Sequence, residues 1–292
     1  METGQVSWEQ IKYFFKGFAP HLPDYLHLGA QHDMAEMASW WLDVIHREAS
    51  VSTSAGVPPS LPKKFQEWMN GGYLQNANNS TSLSQKALKT WHQFHLKDSG
   101  RQWEWTMQTE GLLVYQIQCL NCGKCFHNFE PFHCIPLEPS ESLETSFRRY
   151  FETEKATDWS CDMCHKKIPA ERLVRFWKAP ETLVIQWKRF DGHQKIKTPL
   201  SFPLEFCLLE NTELCRSAST TTPTCYDLVA VGNHYGSLYG GHYTATCRSR
   251  WMPDEWVEID DDGISRMNPT QKWWENNPNA YMLFYVRRNA AN

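Results

Sequence analysis

Two short cysteine pairs, Cys119-Leu-Asn-Cys122 and Cys161-Asp-Met-Cys164, constrain the folding of this chain more than any other feature. In a Cys-x2-Cys knuckle a tight turn lets two thiolates reach one ion, and two knuckles must meet to close a tetrahedron around it. The chain between them, residues 123–160, therefore has to leave and return to one point. Gly123, directly after Cys122, permits the left-handed backbone that such a turn needs. Four thiolates leave no open position, so the one zinc ion expected here is structural. Cys125 makes Cys122-Gly-Lys-Cys125 a competing pair, and Cys134, His127, His133 and His165 lie close by in sequence. Metal-free knuckles or a disulfide are the other readings. Gly123 favours Cys119, Cys122, Cys161 and Cys164 as the ligands.

Composition narrows the classes. The chain has 292 residues, 41% hydrophobic and 14% aromatic, enough for a sizeable core. Its first residues, Met-Glu-Thr-Gly-Gln-Val-Ser-Trp-Glu, carry neither the basic nor the apolar region of a secretory signal. Ten cysteines in such a chain point to metal binding or catalysis rather than disulfides, and to the cytosol or nucleus. The Asn-x-Ser/Thr matches at Asn78 and Asn79 are then chance. With a net charge of -4 and scattered Lys and Arg there is no basic footprint for nucleic acid. The apolar runs 111–114 and 281–286 are far below the roughly 20 residues that span a bilayer, so no membrane partner is expected.

Periodicity predicts helices over 7–18, with Ser7 as N-cap, over 31–47, where Met34, Met37, Ala38, Trp41, Val44 and Ile45 recur at helical spacing, and over 142–152. Residues 50–60 and 70–84 read as polar surface loops. Strand-like alternation marks 113–119, 183–187, 226–231, 242–247 and 280–287. The expected fold class is α+β, helices first and a mostly antiparallel sheet after, with the cysteine-rich segment inserted in the sheet.

A lone histidine in a strand is usually structural. His242, however, follows Gly240 and Gly241, which let a backbone or an extended peptide pass closely, and an alternating strand delivers Asp260 downstream. The spacing suits a Cys-His-Asp arrangement, in which the imidazole takes the thiol proton and the carboxylate holds the ring tautomer. No cysteine stands among residues 1–118 to serve as nucleophile.

Three segments resemble the ubiquitin-specific proteases, the papain-like deubiquitinases of peptidase family C19. They are Gly29-Ala-Gln31-His-Asp33-Met-Ala-Glu36-Met37; the quartet followed by 183–190 and Ser201-Phe202-Pro203-Leu204; and 226–236 leading through Gly241-His242-Tyr243 and 256–262 to 280–285. The resemblance implies a hand of thumb, palm and fingers that grips ubiquitin. In a single domain over 1–292, residues 8–60 would supply partial thumb helices, 102–190 the zinc-ribbon-like fingers and adjoining palm strands, and 191–288 the palm. By the same resemblance, His242 is the general base and Asp260 its orienting carboxylate. Asp261 is a supporting polar group, with the choice between the two aspartates open. Asp33 and Glu36 match acids that pair with arginine in the ubiquitin tail, and Tyr243 would line the tail channel. As helix-start acids, Asp33 and Glu36 also have a purely structural reading. The family's cysteine box is missing, and neither Ser7 nor Cys207, Cys215, Cys225 or Cys247 can replace it without abandoning the match. The chain as it stands is thus expected to lack hydrolase activity. It belongs either to a deubiquitinase whose nucleophile lies upstream or to a ubiquitin-binding pseudoenzyme. A zinc-stapled interaction domain without ubiquitin function is the third reading.

Overall fold

The computed structural model describes residues 22–23, 32–48, 80–96, 109–209, 224–249, 252 and 254–288. The expected helix over 7–18 with its Ser7 cap, the loop 50–60, the acceptors Asn78 and Asn79, Cys215 and most of the segment 8–60 lie outside these residues.

The first described helix, α1 (Met34–Glu48), starts where Asp33 caps it: Asp33 Oδ1 accepts from the amides of Ala35 at 2.8 Å and Glu36 at 3.2 Å. The second, α2 (Ser80–Leu96), departs from the sequence reading, which put residues 80–84 in a polar loop. Leu83, Ala87 and Trp91 fall on one face and pack against Leu112, Val114, Phe129 and Trp177. That stripe, not the polar composition around it, decides the element. The third helix, α3 (Leu143–Tyr150), begins as expected after Ser142, whose hydroxyl accepts from the Thr145 amide at 3.2 Å.

Two sheets follow. A four-stranded antiparallel sheet has the order β2-β1-β5-β4, from β1 (Gly111–Cys119), β2 (Cys125–Phe132), β4 (Glu154–Cys161) and β5 (Lys166–Lys178). The larger sheet runs β11-β10-β9-β8-β12-β6-β3, with β7 (Glu205–Cys207) paired to β8 off that path. Its members are β3 (Cys134–Leu137), β6 (Thr182–Trp187), β8 (Cys225–Ser237), β9 (Gly240–Arg248), β10 (Trp256–Asp260), β11 (Gly263–Met267) and β12 (Ala280–Arg287). Only the β3–β6 pair is parallel among those described. A last short helix, α4 (Gln271–Glu275), puts Trp274 against Trp256 with ring centroids 4.8 Å apart.

β1 explains how the sheets join. Its first half is buried on both faces, Leu112 and Val114 beneath α2 and Leu113 in the main core with Phe176, Leu183, Trp187, Phe206 and Tyr285. Its second half leaves the core toward the cysteines, and burial falls off at Tyr115 to Gln118. The main core is dense in aromatic rings, which supply the largest buried areas per residue.

One buried cation ties the segment after β6 to the sheet. Arg189 is fully buried and donates to four carbonyls: Ala280 at 2.5 Å, Ile196 at 2.9 Å, Thr198 at 3.0 Å and Asn277 at 3.2 Å. Burial pulls its pKa down to about 10, still charged at neutral pH. Carbonyl dipoles thus replace the hydration that burial removes.

Against the expectation of metal binding or catalysis rather than disulfides, Cys207 and Cys225 form a disulfide. They are directly opposite in the antiparallel β7–β8 pair, a register that residue spacing does not reveal. The remaining described cysteines are free.

Candidate functional site

The four predicted thiols meet at the far end of the β2-β1-β5-β4 sheet. Cys119 Sγ lies 3.8 Å from Cys164 Sγ and Cys122 Sγ 3.8 Å from Cys161 Sγ, with all four sulfurs within 4.8 Å of one another. Zinc–sulfur bonds of about 2.3 Å at tetrahedral angles require sulfurs roughly 3.8 Å apart, so the set fits one zinc ion. Both knuckles close with the same turn. The Gly123 amide donates to the Cys119 carbonyl at 2.9 Å with φ of 68° at Gly123, and the His165 amide to the Cys161 carbonyl at 2.8 Å with φ of 52° at His165. Gly123 is there for the reason the sequence suggested; His165 fills the equivalent place in the second knuckle, histidine being among the residues enriched in that conformation. The Cys122 amide points at Cys119 Sγ, 3.2 Å away. Burial opposes ionisation of Cys119, but hydrogen bonds from the Cys122 amide and side chain and the Asn121 amide outweigh it and lower its pKa, while the neighbouring thiols push that of Cys122 up. Cys125 is outside the set: its neighbours are Gln116 and the Gly123 carbonyl.

His242 and Asp260 are brought together across the β9–β10 pair, and His242 Nε2–H donates to Asp260 Oδ1. Asp261, at φ of 49° in the β10–β11 turn, brings its carboxylate within 4.8 Å of the same two groups. The hydrogen bond to Asp260, then the charge of Asp260 and that of Asp261, raise the pKa of His242. With Nε2–H committed to Asp260, the neutral ring keeps its lone pair on Nδ1, the atom that can take a proton. Both side chains are about half exposed.

On the other side of β9 lies a cleft of about 1000 Å³. α1 supplies Asp33, Glu36 and Trp40, β6 and the segment after it Gln186 to Asp191, β8 and the hairpin His234 and Ser237 to Gly241, and Tyr243 and Tyr281 stand at the base. The three residues expected in a tail channel, Asp33, Glu36 and Tyr243, therefore share one cavity. Gly241 has a role beyond the one expected: a Cβ there would lie 2.3 Å from His234 Nε2 and 2.2 Å from the Tyr235 carbonyl. The space is taken by the protein's own histidine. His234 is buried among Phe190, Tyr243 and Tyr281, and burial, then the charge of Lys195, lowers its pKa.

Sequence reasoning passed over Tyr281, Gln186 and His234 as site residues. Each sits in an apolar strand pattern where an aromatic or polar residue reads as core, and no local signal sets them apart. None of the described helices is long and apolar enough to cross a membrane.

The family model described as "Ubiquitin carboxyl-terminal hydrolase" matches residues 4–285. Among curated proteins, rat ubiquitin carboxyl-terminal hydrolase 2 is 28% identical over 300 residues, covering 96% of this chain and 43% of the relative. Mouse ubiquitin carboxyl-terminal hydrolase 4 is 35% identical over 193 residues, covering 63% of this chain and 19% of the relative. The chain spans less than half the length of these relatives. Among solved structures, the SAGA Ubp8/Sgf11/Sus1/Sgf73 DUB module bound to ubiquitin aldehyde matches with a TM-score of 0.58 and 22% identity, over 73% of this chain and 50% of that one.

Proposed function

The chain belongs to the ubiquitin carboxyl-terminal hydrolase family, with the α+β fold of its ubiquitin-specific proteases, and from that premise we propose that it acts on ubiquitin or ubiquitinated proteins as a thiol-dependent deubiquitinase domain. The observation that carries this reading is the placement of an acidic pair, Asp33 and Glu36, in a cleft floored by the strand that bears the His242–Asp260 pair. An extended peptide tail entering the cleft meets carboxylates able to make charge-assisted bonds to its cations. Tyr243 lines its path, and His242 Nδ1 would accept the proton of a thiol, with Asp260 holding the ring and Asp261 adding negative charge beside it. In this reading the β2-β1-β5-β4 sheet is the fingers, the larger sheet the palm and α1 part of the thumb. The zinc site keeps the finger tip folded and takes no part in the chemistry.

Hydrolysis needs a thiolate at His242, and these residues supply the base, its carboxylate and the grip. Cys247, on the same strand, is roughly 17 Å along it and on the opposite face by alternation. Burial also raises its pKa, which keeps it a thiol. Cys247 therefore does not supply that thiolate. The reduced quartet supports the cytosol or nucleus as its compartment, with the Cys207–Cys225 bond opposing it.

Titration of the zinc-loaded chain with ubiquitin, followed calorimetrically, tests the grip: binding should weaken with salt and with Glu36→Gln. Absence of binding sinks the ubiquitin reading. Cleavage of a ubiquitin C-terminal amide by the 292 residues alone is expected to be nil. Cleavage that His242→Ala abolishes would mean that one of the present cysteines serves as nucleophile.

A further inference from the structure

Three buried tyrosines of the larger sheet dispose of their hydroxyls in two ways. Tyr226 donates to the Pro180 carbonyl at 2.7 Å and Tyr285 to the Pro203 carbonyl at 2.7 Å, the usual answer to burying a phenol. Tyr281, only 2% exposed, instead donates to the carboxylate of Asp33, at 2.5 Å from Oδ2, across a separation of 248 residues. Gln186 Nε2 in turn donates to the Tyr281 oxygen at 2.8 Å, which fixes the phenol's proton toward Asp33. A hydrogen bond from a neutral donor to a carboxylate is stronger than one to a carbonyl.

The other oxygen of Asp33 is already committed to the first turn of α1, through the Ala35 and Glu36 amides. One carboxylate thus joins the start of a helix to the central strand β12. The join is tight. Met34 sits over Gly232 of β8 so closely that a Cβ there would lie 2.3 Å from its sulfur, and Ala35 packs with Val184, Tyr281 and Met282. Tyr243, next in sequence to His242, belongs to the same cluster; its pKa is pushed up to about 12 by burial first and then by the Asp33 charge. The Tyr243 hydroxyl also interacts with the Asp33 side chain, and Asp33 lines the cleft.

We propose that Tyr281 is a positioning residue for this cleft: held by Gln186, it latches the first turn of α1 to β12 through Asp33, and so sets the width of the channel and the direction in which the Asp33 carboxylate faces it. The inference rests on the reading of the cleft as a ubiquitin-tail channel, but the latch can be judged without ubiquitin. The acid that the family resemblance assigns to substrate is then also the point at which the thumb helix is tied to the palm.

The test is a double-mutant cycle with Tyr281→Phe and Asp33→Asn on the zinc-loaded chain. Phenylalanine keeps the ring and removes only the donor, and asparagine still caps the helix. In the protein without ubiquitin, hydrogen exchange at the Ala35 and Glu36 amides should speed by roughly tenfold in Tyr281→Phe, the factor set by one hydrogen bond to a charged group. Ubiquitin affinity should fall in each single variant by about the same factor, and the double variant should bind no more weakly than Asp33→Asn alone. Unchanged exchange at the start of α1 in Tyr281→Phe, or losses of affinity that multiply in the double variant, would overturn the latch. Should wild type fail to bind ubiquitin, the functional reading falls, while the exchange measurement still decides the latch. Gln186→Leu provides the second variant, with a smaller increase in exchange at the same two amides and none elsewhere in α1.

Discussion

The four thiols at the tip of the β2-β1-β5-β4 sheet come from two turns that each close on themselves, whereas the cleft beside β9 takes its walls from residues as distant as Asp33 and Tyr281. At the tip, four sulfurs face one another, those of Cys119 and Cys161 buried, and every ligand position is filled from within. Across β9 from the cleft, the His242–Asp260 pair is half exposed and rests on a sheet that is complete without it. The difference predicts where stability and function part. A site made of its own fold costs stability when broken; a site laid on a fold costs chemistry.

The largest effect should therefore come from Cys161→Ser. Structural zinc sites in small modules are worth about 10–16 kcal/mol of apparent binding energy, far more than the tip's few apolar contacts can replace. Zinc content should drop to zero, and the amides of Leu120, Gly123 and His165 should lose exchange protection. Those of Met282 to Tyr285 in β12 should keep theirs. Melting of β12 together with the tip would break the contrast, because the tip would then be part of one cooperative unit with the core.

Arg189 shares something with each region, buried like Cys119 and Cys161 but bounding the cleft. Arg189→Met strands four carbonyls and should cost about 3–5 kcal/mol in urea unfolding, the range for breaking a buried charged network. A loss below 1 kcal/mol would mean that water satisfies those carbonyls. Gly232→Ala is milder: the added methyl meets the flexible end of Met34, and overpacking of this kind costs roughly 1–3 kcal/mol. Its exchange signature should be confined to α1 and its contacts.

The same contrast explains how much could be read from residues alone. Both knuckles, the strands around His242 and Asp260 and the helix expected over 142–152 were legible, because their signals are local: cysteine spacing, period-two alternation, helical periodicity. Helix α2 was not, since the first residue of its stripe of Leu83, Ala87 and Trp91 lies in a run of Ser and Thr that reads as loop. The Cys207–Cys225 pairing depends on the β7–β8 register. Tyr281 looks like any inward residue of an apolar strand, and only the docking of α1 turns it toward a carboxylate. What escaped the sequence is what long-range packing decides.

The smallest effect on stability should come from the pair with the greatest chemical meaning. Hydrogen bonding to Asp260 raises the His242 pKa, so the native state favours the protonated ring. The stabilisation is fully present below about pH 6.5, the unfolded value, and is lost as pH rises through the raised native value. With both groups half exposed, solvent screens most of it. Asp260→Asn should leave the urea midpoint closer to wild type than Gly232→Ala does, yet return the His242 titration, followed by NMR, toward its ordinary value. A midpoint shift exceeding that of Gly232→Ala would show that the His242 region, too, is made of its own fold. If the titration does move, the consequence for chemistry has a fixed sign. In the proposed role of general base His242 works only when its lone pair is free, so the raised pKa confines proton acceptance at Nδ1 to the higher-pH side of the native value. Asp260 then orients the ring at the expense of holding more of it protonated near neutrality, a compromise that Asp260→Asn should expose as a change in the pH at which His242 becomes able to accept a proton.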